Sequence, residues 1–362
     1  MNKARHPKST VSILILALLA VLAGLTAVSV LVALPAGSSP VLTQNIRPLG
    51  TRPEHLRTDP VNPVPNQQAI TQALWAPGID HGYVPQGLAF AEGQILMSAY
   101  RSRNPAVSMG PCRVYRVDPE SGEITGYFDL PPACGHAGGL AYAGDGVLIL
   151  SDTRRLYRIN LEQALQDKRA DKAITSTLEL AGALRGSFVT FVPVTFVPVT
   201  FVPVTFVPIT FVPAASVPTA AWPGNVSSPG PGLFIGTWST SASTARGYFL
   251  PLSLFDSHGG ASITENNALG SIPLDARAQG GAFAPDGSFW LSYSSHDFGR
   301  VEQVDPASGR VLASYPLVSG TEDISFDGKG GLWAVSEAGS LRWRSWRTSF
   351  PLVFRLDIRL LE

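Results

Sequence analysis

Arg113-Val114-Tyr115-Arg116-Val117-Asp118-Pro119-Glu120-Ser121-Gly122 and Arg300-Val301-Glu302-Gln303-Val304-Asp305-Pro306-Ala307-Ser308-Gly309 share one pattern, and that pattern decides the fold. Each opens as a short β-branched strand and ends in Asp-Pro-x-Ser-Gly. Proline pre-sets φ at the start of a turn, the Asp side chain can hold backbone N–H groups, and Gly takes the left-handed position. Two such strand-and-turn units so far apart in one chain indicate an internal repeat.

Working outward, each unit is preceded by an apolar strand, Ile95 to Tyr100 and Phe289 to Ser294, and before that by a short strand closing on an aromatic. These short strands are Gln86-Gly87-Leu88-Ala89-Phe90 and Gln279-Gly280-Gly281-Ala282-Phe283. The same opening recurs at Gly138-Gly139-Leu140-Ala141-Tyr142, at Glu322-Asp323-Ile324-Ser325-Phe326 and, loosely, at Ser187-Phe188-Val189-Thr190-Phe191. Asp145-Gly146 and Asp286-Gly287 are hairpin turn pairs. Four strands per unit, at a spacing of roughly 40–50 residues, describe propeller blades. The prediction is an all-β fold, a single β-propeller of five blades, with six as the rival because the stretch from 187 to 279 is long. The last unit lacks a fourth strand, and Ile70 to Trp75 is placed to supply it and close the ring, which removes open sheet edges.

The extra length has a visible source. Val189 to Pro213 reads VTFVP four times and then ITFVP. The first copy falls on the inner strand of blade three, and the other four form a tandem insert. Proline at every fifth position removes a ladder donor each time, so the insert is predicted to be a tolerated loop.

Composition bounds the function. Lys+Arg and Asp+Glu are both 27, so net charge is zero. A nucleic-acid binder needs a basic excess, so no nucleic-acid partner is expected. Gly 35 and Pro 30 are incompatible with a helical bundle. Lys3, Arg5 and Lys8 precede an uncharged run from Val11 to Leu34, long enough to span a bilayer. Residues 1–10 are therefore a cytoplasmic basic tail, 11–34 a transmembrane signal-anchor or a long signal peptide, and 35–68 a Pro-rich tether. The propeller occupies 69–362 and lies outside the cytoplasm, membrane-bound or secreted according to whether the run is cleaved.

In a four-stranded blade, the loop into the inner strand and the loop between strands two and three share a face. His81, Gln86, His136, Gln279, Glu322 and Asp323 gather there around the channel mouth. Arg101, Arg103, Asp152, His296 and Glu337 sit in or beside the neighbouring loops. A concave mouth is where a propeller takes its ligand. His136, flanked by small residues, is the candidate general base; its alternative is a histidine bonded to a neighbouring blade. Glu322 and Asp323 could place a substrate or a hard cation, so calcium is the one ion considered and no other cofactor is required. Cys112 and Cys134, both entering this face in an exported chain, are expected to form a disulfide. Leu341 to Arg347 (LRWRSWR) adds a basic-aromatic loop.

The blade pattern with its Asp-Pro-x-Ser-Gly turns resembles exported bacterial propellers of the NHL, gluconolactonase and strictosidine-synthase-like group. The resemblance implies a channel site, in lactonase-type members a calcium site lined by carboxylates and Asn. Glu322 and Asp323 match that set in type, whereas Gln86, Gly138, Ser187 and Gln279 occupy the other equivalent positions. Gln86-Gly87-Leu88 is also similar to a first-blade strand of five-bladed glutaminyl cyclases, but Ser98-Ala99-Tyr100 stands where their catalytic carboxylate falls. Two functions follow. One is an extracytoplasmic binding module for an envelope glycan, peptide or protein. The other is a lactonase-like hydrolase or lyase, with His136 as base and Glu322 or Asp323 placing metal or substrate.

Overall fold

The computed structural model describes residues 47–56, 64–104, 110–193, 231–346 and 352–362. The run 11–34 and the pentads after Pro193 lie outside the described residues. Among those described, no helix is long and apolar enough to cross a membrane.

Five sheets form the propeller. Blade one pairs Tyr83–Ala91, Gln94–Arg101, Arg113–Val117 and Ile124–Asp129. Blade two starts at Gly139–Tyr142 and Val147–Asp152, continues through Arg155–Asn160 and Ile174–Leu180, and adds Ser262–Ile263 in parallel at its rim. Blade three is Phe188–Val192, Gly232–Gly236, Arg246–Pro251 and Gly270–Pro273. Blade four is Ala278–Phe283, Phe289–Ser294, Gly299–Val304 and Val311–Leu317. Blade five is Thr321–Phe326, Gly331–Ser336 and Leu352–Asp357, completed by Ile70–Trp75 from the other end of the chain. The five-bladed reading holds, the six-bladed one does not, and the ring closes as the repeat implied.

The Asp-Pro-x-Ser-Gly turns explain their own recurrence. Ser121 Oγ donates to Asp118 Oδ2 at 2.7 Å and the Glu120 N–H to Oδ1 at 3.2 Å. Ser308 Oγ donates to Asp305 Oδ2 at 2.6 Å and the Ala307 N–H to Oδ1 at 3.1 Å. Gly122 and Gly309 both sit at φ 74°, where other residues are strained. The serine hydroxyls hold both Asp carboxyls below their ordinary value.

Successive side chains on a strand point to opposite faces, and here both faces are covered. Leu148 and Leu150 pack toward blade one, whereas Ile149 between them packs toward blade three. Five apolar clusters result, one at each blade–blade junction. This is why the second strands read as continuous apolar runs rather than alternating ones.

The inner strands approach one another backbone to backbone. A Cβ at Gly139 would lie 2.4 Å from the Val189 nitrogen, and one at Gly280 2.5 Å from the Asp323 Cα. The Gly-rich openings of the repeat are thus a steric requirement of a narrow five-bladed channel. Residues 47–56, read from sequence as tether, lie on the propeller. Leu49 bridges Leu74 in parallel, and the His55 ring lies 2.8 Å from the Gly339 carbonyl oxygen.

Candidate functional site

At the channel mouth lies a cavity of about 830 Å³ whose walls come from all five blades. Gln86, His136, Gln279 and Glu322, singled out from sequence, meet there. They are joined by Tyr100, Asp152, Glu337, Arg342, Trp343 and a rim of Arg154, Arg185 and Trp238.

The floor is a pair of carboxyl groups. Glu322 opens the inner strand of blade five, and Glu337 follows directly after the second strand of the same blade, so the hairpin delivers both to one place. Glu322 and Glu337 are 3% and 8% exposed and hydrogen-bonded to each other. Gln279 Nε2 donates to Glu322 Oε1 at 2.9 Å. Gln86 Nε2 donates to Glu337 Oε2 at 3.1 Å, and the Trp343 indole N–H to the same oxygen at 2.7 Å. Burial pushes both carboxyls up, and the negative charge of Glu337 pushes Glu322 further. Two carboxylates this close cannot both ionise in a buried site. Glu322 is raised well above the ordinary carboxyl value, while burial raises Glu337 to about 7 against the pull of the Trp343 and Glu322 donors.

Asp323 takes no part in the cavity surface. Its Oδ2 accepts from the Leu88 N–H at 3.0 Å and the Leu140 N–H at 3.2 Å, and its Oδ1 from its neighbour's N–H at Ile324. One fully buried side chain therefore ties the inner strands of blades one, two and five together. Burial drives its carboxyl well above the ordinary range, against the pull of those donors. The expectation that Glu322 and Asp323 act as one ligand pair meets the geometry of a strand, where neighbours face opposite ways. Among the described residues no group of three or more His, Cys, Asp or Glu is placed to hold a metal.

His136 borders the cavity with its ring stacked on Tyr100, centroids 4.9 Å apart. Burial, with the nearby Arg342 charge, lowers its pKa to about 4 despite Asp152. The Asp152 carboxylate accepts the backbone N–H groups of His136, at 2.9 Å, and Gly135, at 3.2 Å. Among the described residues, no carboxylate lies within 4.0 Å of the His136 ring nitrogens. The orienting acid that a histidine base uses in a triad is thus absent from the described set.

The other sequence candidates lie apart. Arg101 Nε donates to the His81 carbonyl at 2.9 Å, away from the cavity wall. His296 is an exposed rim residue 3.7 Å from Asp297 and edge-on to Trp346. Cys112 and Cys134 do meet, but as buried free thiols, so the disulfide expected from sequence is not formed in the structure. Tyr100, Arg154 and Arg185 were not legible as site residues. Arg154 and Arg185 lie in loops whose position depends on the blade they cap, and Tyr100 reads simply as the end of an apolar strand.

No family model matches the chain, and no curated protein does either. Solved structures that resemble it are propellers. Myxococcus xanthus glutaminyl cyclase is 14% identical, covering 79% of this chain and 94% of its own, at TM-score 0.45. A calcium-binding regucalcin from Agrobacterium tumefaciens is 15% identical over 78% of this chain and 94% of its own, at 0.38. The PQQ-bound aldose sugar dehydrogenase of Streptomyces coelicolor is 13% identical over 75% and 94%, at 0.37. The likeness is one of fold.

Proposed function

We propose that this protein is a membrane-tethered extracytoplasmic propeller with an acid–base active site on its channel-mouth face, acting as a hydrolase or lyase. The observation that carries the reading is the buried, mutually hydrogen-bonded pair of Glu322 and Glu337 on the floor of a cavity. Paired carboxyls pushed apart in pKa supply a protonated acid and a base poised near neutral pH. In this assignment Glu337 takes the proton from the substrate or an attacking water, and Glu322 donates to the developing negative charge. His136 becomes a neutral wall residue rather than the base. The Val11 to Leu34 run supports the tether, and export follows from its charge flanks.

A binding module for an envelope glycan, peptide or protein is the second reading, and one observation favours it. Gln86, Gln279 and Trp343 already occupy the carboxyl oxygens, as they would in a purely structural cluster. One experiment separates the two. The full-length protein is assayed against chromogenic esters and glycosides and, by pH-stat, against simple lactones. The acid–base reading expects turnover that falls on the order of 100-fold or more in Glu337→Gln. Undiminished turnover in that variant, or a retained ligand with no turnover, leaves the binding reading.

A further inference from the structure

The wall of the cavity between blades two and three carries positive charge that the protein does not neutralise. Arg154 is exposed, and its guanidinium has no hydrogen-bond or ion-pair partner among the described residues. Arg185, half-buried beside it, donates only to backbone carbonyls, Gly182 at 2.8 Å and Leu184 at 2.5 Å. Arg155 between them in the lining differs, because Glu179 Oε1 lies 2.6 Å from its Nε. The Asp152 carboxylate on the same side is occupied by the two backbone N–H groups described above. Burial and the like charge of Arg154 both lower the pKa of Arg185, as an uncompensated cationic pair would. Two further features belong to this wall. The Thr237 hydroxyl is buried without a partner, and the Trp238 indole is 47% exposed although its backbone N–H is fixed to Ser187 Oγ at 2.9 Å.

Taken together, the geometry points to an anion subsite: Arg154 and Arg185 grip the carboxylate of an acidic glycan whose sugar ring lies against Trp238. This deepens the proposed function, since it rests on the cavity being the ligand site, and it names the ligand class. Guanidinium groups match carboxylates in shape and donor geometry, and an exposed indole offers a broad apolar face for a sugar ring. The Glu322 and Glu337 floor then faces the uncharged, hydroxyl-bearing end of the sugar. The unneutralised arginines on one wall favour placing the carboxylate of an acidic sugar there rather than over the carboxyl floor.

The test is calorimetric titration of the full-length protein with trigalacturonate and, separately, with its methyl ester, which keeps the shape and removes the charge. We expect the acid form to bind, the ester to bind about 10-fold or more weakly, and the difference to vanish in R154A/R185A. Added salt should weaken the acid form alone. Equal binding of acid and ester, unchanged binding in the double variant, or no binding of the acid form overturns the subsite. Should the double variant fail to fold, Arg154→Ala alone carries the test, because its side chain is exposed. The acid–base reading fails separately: E337Q would lose no turnover while the discrimination between acid and ester persisted.

Discussion

Gln86 and Glu337 stand 251 positions apart in the chain and meet at 3.1 Å across the channel mouth, amide nitrogen to carboxyl oxygen. The contact joins the first blade to the last, and it closes the hydrogen-bond set around the carboxyl pair. Its consequences are measurable.

Glu337 should titrate near neutrality. Its folded pKa is raised from 4.5 to about 7, so between those values the native state holds a proton that the unfolded chain has released. Stability therefore falls as pH rises through that window. Thermal melting of Glu337→Gln across pH 4.5–7 should lose this component. Trp343 donates its indole N–H to the same carboxyl, so its fluorescence should change with a midpoint near 7 and stop changing in the variant.

His136 acts in the opposite sense. Its pKa is depressed from 6.5 to about 4, so on acidification the unfolded chain takes up the proton first. Stability contributed by the neutral ring is present above about 6.5 and is lost as pH falls toward 4. His136→Phe keeps an aromatic face against Tyr100 but cannot titrate. Chemical denaturation of parent and variant at pH 4.5 and 7.5 should show the parent losing more in acid, and turnover should survive the change.

Asp323 is a structural tie. Replacing it by Asn puts an amide nitrogen where one oxygen accepts backbone N–H groups, from Leu88 and Leu140 on one side or from Ile324 on the other. The expected cost is about 2–3 kcal/mol for buried donors left unpaired. A denaturant series should show a lowered midpoint with an unchanged slope.

Ring closure depends on Ile70–Trp75, which pairs with Leu352–Asp357. A chain starting at residue 77 leaves the third strand of blade five as an open apolar edge, and it should aggregate or remain unfolded. A chain starting at residue 47 keeps the closing strand and the Leu49 bridge and should give cooperative melting. Equal behaviour of the two would contradict the closure.

The pentad insert is separable from the blade it interrupts. The strands that flank it, Phe188–Val192 and Gly232–Gly236, pair in unbroken register. Removing residues 194–213 shortens a connection, whose entropic cost changes slowly with length. The melting temperature should move by no more than a few degrees.

What the sequence by itself determined is what depends on short range. The Asp-Pro-x-Ser-Gly turns at Asp118 and Asp305, the hairpin glycines and the apolar runs of the second strands are encoded within a few residues of one another. Their recurrence points to five blades, with six left as a rival by the long stretch from 187 to 279, and finds the closing strand. The mouth residues Gln86, His136, Gln279 and Glu322 were legible too, because position within a repeat dictates position on a ring. Only the tertiary structure decided what those residues touch. Whether Glu322 pairs with its neighbour Asp323 or with Glu337 depends on strand pleat and hairpin geometry, and the answer turned an expected ligand pair into one strand tie and one buried carboxyl pair. Whether His136 is a base depends on which groups face its ring from other blades. The charge of Arg154 and Arg185 becomes informative only when three dimensions show which carboxylates are near and already occupied. Burial and proximity set the energies of charged groups, and neither is local in the chain.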